Sequence, residues 1–150
     1  MKTSDPPSVK VQAHSRFMKL IFFIMVFSVG KYAVVLREIG QSAKPLPDGM
    51  KIGLEVWALA SALVVLFVRF VKIAGVLVPD TPIPIVERLA KLRAYFILCY
   101  VFAETVALYG FVLGSMGSSL VDAAPFFVGS LLLFALCYPR LPSDLEDRQA

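Results

Sequence analysis

The sequence predicts an all-α integral membrane bundle of four transmembrane helices, and three observations carry that reading. Hydrophobic residues make up 58% of the 150-residue chain, and its mean hydropathy of +0.76 exceeds what a soluble domain of this size carries. Four apolar stretches, 17–36, 52–72, 94–116 and 122–138, approach the about 17 to 25 residues that a helix needs to cross ~30 Å of hydrocarbon. None of them shows the period-two alternation of a barrel strand.

Taken in order, a polar basic arm, 1–16, leads into the first span. Its apolar run continues through Tyr32-Ala-Val-Val-Leu36, too long for the apolar part of a secretory signal, so an uncleaved helix is expected. The first connection, Gln41 to Gly49, carries Pro45, Pro47 and Asp48-Gly49, the turn chemistry of a hairpin loop. Pro79-Asp-Thr-Pro-Ile-Pro84 stops the second span, and Asp80 or Thr81 can cap a new helix. In 84–93, Ile85, Val86, Leu89 and Leu92 fall at helical spacing with Glu87, Arg88, Lys91 and Arg93 largely opposite. That pattern suits either an amphipathic helix on the membrane surface or a plain extension of the third span. The fourth span is long enough only if Asp122 caps its outer end, with Pro125 tolerated in the first turn. A polar tail, 139–150, closes the chain.

Charge sets the expected orientation. Of the fifteen Lys and Arg residues, eleven lie in the N-terminal arm, the second connection and the tail. Four (Lys31, Arg37, Lys44 and Lys51) surround the first connection. The positive-inside rule then places both termini in the cytoplasm, in a plasma or bacterial inner membrane. The net charge of +4 is thereby a topology signal, with the lipid bilayer as partner and no nucleic acid. Lys31 and Glu55, at similar shallow depth on the first two spans, are placed either to pair or to reach the interface separately.

Catalytic chemistry has no foothold here. The chain has no Ser/His/Asp or Cys/His set, no metal-ligand spacing and no phosphate-cradling glycine loop, so no enzyme activity, metal or cofactor is expected. The single histidine, His14, lies in the polar arm. Cys99 and Cys137 read as small apolar core thiols.

One residue stands apart. Glu104 lies near the middle of the third span, with no other charge between Arg93 and Asp122. Ionised in lipid it would cost from ~3 kcal/mol upwards, so it must be protonated, paired or wetted. Tyr100, one turn earlier, is its expected partner within the same helix. Beside it runs a small-residue stripe of Ala103, Ala107, Gly110, Gly114 and Gly117, which lets another helix approach closely, within the chain or in an oligomer.

Arg16 to Gly40 aligned on Arg93 to Gly117 without gaps gives six identities. Two parallel, duplicated hairpins are suggested, with Glu104 opposite Phe27 so that only one half carries the acid.

Ala103-Glu-Thr-x-x-x-Tyr109-Gly-x-Val112 resembles the ion-binding helix of the proteolipid c subunits of F- and V-type rotary ATPases, over these ten residues alone. In that family the glutamate binds and releases a proton or sodium ion as a ring of hairpins turns. The resemblance implies an ion- or proton-binding role for Glu104, with Ala103, Thr105 and Tyr109 around it.

Two roles are therefore expected. One is a structural or accessory subunit packing with itself or other membrane helices around a buried Glu104. The other is a proton- or ion-linked transport component that uses Glu104 as its protonatable site.

Overall fold

The computed structural model describes residues 7–39, 47–77 and 84–139. The Pro45 loop segment, the Asp80/Thr81 cap and the tail from 140 onward lie outside them. Helix α1 spans Pro7–Ile39, and α2 spans Asp48–Phe67. The second helix runs on through a π-helical stretch, Val68–Ile73, into a last turn, Ala74–Leu77. Helix α3 spans Ile85–Ser115 and α4 spans Leu120–Leu136, and no strand occurs among the described residues. The fold is all-helical, and three of the four helices are long and apolar enough to cross a membrane. The fourth, at 17 residues, sits at the lower limit of a spanning length.

The third helix is the hub. Helices α1, α2 and α4 all pack on it, whereas α2 and α4 barely touch one another. Its buried positions, Leu89, Leu92, Phe96, Cys99, Ala103, Val106, Gly110 and Leu113, recur at three- and four-residue spacing, so a continuous stripe faces its neighbours. At the basic end Phe22 of α1 sets its ring edge-on to Tyr100, Phe134 and Tyr138, with centroids 5.9, 6.1 and 5.3 Å away. Those aromatic contacts join three helices in one cluster.

The small residues of α3 serve packing within the chain. A Cβ added at Gly110 would lie 2.6 Å from Phe126 Cβ of α4, and one at Gly114 would lie 2.7 Å from the tip of Leu36 of α1. Ser130 of α4, fully buried, donates from its hydroxyl to the Ala103 carbonyl at 2.7 Å. Gly117, expected in the same stripe, is not in the helix at all. It adopts φ 101°, the left-handed residue that ends α3. Ser118 N–H bonds the Leu113 carbonyl at 3.3 Å and Gly117 N–H the Gly114 carbonyl at 3.2 Å, the paired bonds of a Schellman motif.

The start of α4 differs from expectation by one turn. Ser119 is the N-cap: its hydroxyl accepts from the Asp122 N–H at 3.1 Å, and Asp122 returns a carboxylate oxygen to the Ser119 N–H at 3.2 Å. Asp122 is therefore the third helical residue of a capping box rather than the cap itself. Segment 84–93 forms the opening of α3 without a break. Arg88 is buried there and its Nε donates to the Val76 carbonyl at 2.7 Å, while Lys91 pairs with Glu87 at 2.8 Å. Arg93 lies over the Phe17 ring, 4.3 Å from its centroid.

The π-helical stretch has a packing reason. Val65, Val68, Ile73 and Val76 are buried while Val71 and Lys72 are exposed. A regular α-helix would turn Val71 or Lys72 inward after Val68. One extra residue per turn carries Ile73 to that position and leaves the Lys72 ammonium outside.

Candidate functional site

Glu104 is half-buried on the side of α3 that meets α1. The Tyr32 hydroxyl of α1 donates to its Oε1 at 3.1 Å. A second helix thus supplies the polar contact that hydrocarbon withholds. Tyr32 is held in turn by its ring, which packs 5.4 Å from Phe111 on the next turns of α3. The Ser28 hydroxyl, one turn earlier on α1, lies beside the Tyr32 phenol. Ser28 lies in turn on the outer surface of α1 beside Phe27 and Lys31.

Tyr100, the partner expected from helical spacing, is not the partner. It is fully buried, and its hydroxyl finds no hydrogen-bond acceptor or donor among the described residues. Side chains on a helix lean toward its N-terminus, so the phenol of Tyr100 points away from residue 104. It enters the aromatic cluster with Phe22, Phe96 and Phe134. Thr105 turns its hydroxyl onto the Val101 carbonyl of its own helix at 2.8 Å. Tyr109 packs, half-buried, against the core. Of the residues grouped with Glu104 by the sequence, none of Tyr100, Thr105 and Tyr109 bonds its carboxyl, and Tyr32 does.

Lys31 and Glu55 do not pair. The Lys31 ammonium lies 5.1 Å from the Phe27 ring centroid on its own helix, a cation–π contact one turn away. The ion pair that closes this end joins other residues, Lys51 and Asp122, at 3.4 Å.

Two further groupings come from residues far apart in sequence. Arg69, within the π-helical stretch, donates from Nε to the Leu136 carbonyl at 2.9 Å, which supplies a donor to the otherwise orphaned C-terminal end of α4. Cys99 and Cys137 lie in the same buried cluster, the Cys99 thiol donating to the Val65 carbonyl at 4.0 Å, both as free thiols at 1% and 0% exposure. Because thiolate chemistry needs access, neither is expected to react with a water-soluble maleimide while the bundle is folded in a bilayer. Both are expected to react after unfolding in dodecyl sulfate. Mass spectrometry of the labelled chain checks this, and rapid labelling of either cysteine in the folded protein contradicts the burial.

Among the described residues no group of three or more His, Cys, Asp or Glu side chains is placed to hold a metal ion. In comparison with known proteins, no family model, no curated protein and no solved structure matches this chain.

Proposed function

We propose that this chain is a structural or accessory subunit of a membrane assembly, in which Glu104 is a polar anchor that fixes α1 against α3. The observation that carries the reading is the 3.1 Å bond from Tyr32 to Glu104. Only 6% of the apolar stretch of α1 is buried, against 44% for α3. A helix with so little packed surface gains most from a directional tether in lipid. The outer face of α1, with Leu20, Phe23, Ile24 and Phe27 exposed, is then free to meet lipid, a second copy or a neighbouring subunit. The reading keeps both termini in the cytoplasm of a plasma or inner membrane. Its support is that basic residues gather at one end, where Arg69 reaches Leu136 and Arg93 covers Phe17.

A second reading, proton- or ion-linked transport through Glu104, is favoured by the polar sequence Glu104, Tyr32, Ser28, which ends at the outer surface of α1 beside Lys31. One substitution separates the two. Glu104→Gln keeps a carbonyl oxygen for Tyr32 but cannot exchange a proton. As an anchor it should leave thermal stability, oligomeric state and the proton permeability of proteoliposomes unchanged. Loss of a measurable proton flux in a variant that still assembles would transfer the case to transport.

A further inference from the structure

Helices α2 and α4 flank α3 without closing on each other, and the gap between them is a groove of about 490 Å³. That volume falls within the ~300–1,000 Å³ typical of small-molecule sites. Ala58 and Ala62, one turn apart on α2, leave the space open, and Phe126 of α4 forms part of the opposite wall. Its charged groups, Lys51, Glu55 and Asp122, all stand at one end.

These three charges are not equivalent. Lys51 is neutralised by Asp122 at 3.4 Å, and Asp122 is held further by the Ser119 hydroxyl at 2.7 Å. Glu55 takes part in no ion pair or hydrogen bond among the described residues. It sits one turn of α2 beyond Lys51, at the border between the charged end and the apolar length of the groove. An anion would meet two carboxylates against one ammonium. A neutral amphiphile would bury hydrocarbon and leave the Glu55 charge uncompensated.

We propose that this groove binds an amphipathic monovalent organic cation, its charged head at Glu55 and its hydrocarbon body between α2 and α4 along Ala58, Ala62 and Phe126. The opposite charge at the head supplies direction, and the apolar walls supply the area. The site is separate from Glu104 and does not depend on the role assigned to that residue. Such a cation can come from the bilayer as a long-chain amine or from water as a lipophilic ion.

The test uses the full chain in phosphatidylcholine nanodiscs, with retained ligand counted by native mass spectrometry. One arm places stearylamine in the disc and the other adds tetraphenylphosphonium to the solution. Retention of one cation per chain is expected in at least one arm, and that arm identifies the source. Glu55→Gln, a near-isosteric change at an exposed position, is expected to weaken retention at least about tenfold. Ala62→Phe, which fills the groove, should abolish it, while Glu38→Gln, at an exposed carboxylate on α1 outside the groove, leaves it unchanged. Retention that survives Glu55→Gln, equal retention of stearic acid, or no retention in either arm overturns the proposal.

Discussion

Gly110→Leu is expected to separate α4 from α3, and Gly110→Ala to destabilise the bundle by about 1–3 kcal/mol, the range for overpacking a filled interior. A Cβ at this position would stand 2.6 Å from Phe126 Cβ and 3.1 Å from the Ala123 carbonyl oxygen. Neither atom can swing aside on a side-chain torsion, since one is the first atom of its side chain and the other is backbone. Relief requires a shift of α4 as a body, and that strains the nearby 2.7 Å bond from Ser130 to the Ala103 carbonyl. Gly114→Ala provides the contrast. The three atoms nearest to its Cβ are the terminal carbons and Cγ of Leu36, which a rotamer change can move. Alanine in place of a helical glycine also returns about 1 kcal/mol of propensity, so near-neutral stability is expected. Unfolding midpoints of the two alanine variants in mixed micelles decide the matter. Equal losses at both positions would show that the α3–α4 seam is no tighter than the α1–α3 contact.

That contrast also marks the limit of what the sequence reveals. The stripe from Ala103 to Gly114 was legible, because small residues at three- and four-residue spacing on an apolar helix predict close approach. Which helix approaches each glycine was not, because spacing on one helix carries no information about its neighbours' azimuth. The same gap hides Tyr32. It lies 72 residues from Glu104, and a helical wheel of α3 offers only Tyr100. The usable signal was a tyrosine within the first apolar stretch, where a phenol also needs a partner. Lys31 and Glu55 were matched by depth, yet Lys31 turns to Phe27 one turn back on its own helix. Gly117 shared the stripe's composition, but a glycine followed by serines after a long apolar run is equally a helix stop. The π-helical stretch was not legible, because Phe67, Phe70 and Val71 are as apolar as Val68 and Ile73 and only packing selects among them. The spans themselves needed none of this, since composition alone determines what must leave water.

Tyr32→Phe is expected to cost more than Tyr32→Phe combined with Glu104→Leu. Removing the phenol hydroxyl deletes one hydrogen bond and strands a carboxyl to which no other described side chain hydrogen-bonds. An orphaned polar group of this kind costs about 1–3 kcal/mol, whereas replacing both partners by apolar groups of similar shape is close to neutral. The single change should therefore lower stability by that amount and the double change should recover most of it, giving a coupling energy of about 1 kcal/mol or more. Glu104→Leu alone leaves the Tyr32 hydroxyl beside Ser28, so its loss should be the smaller of the two single changes. Reversible unfolding of all four proteins in one bicelle composition measures the cycle. If the double variant is as unstable as the sum of the singles, the Tyr32–Glu104 bond contributes nothing to holding α1. The anchoring role would then have to rest on the apolar contacts of Val29, Leu36 and Phe22.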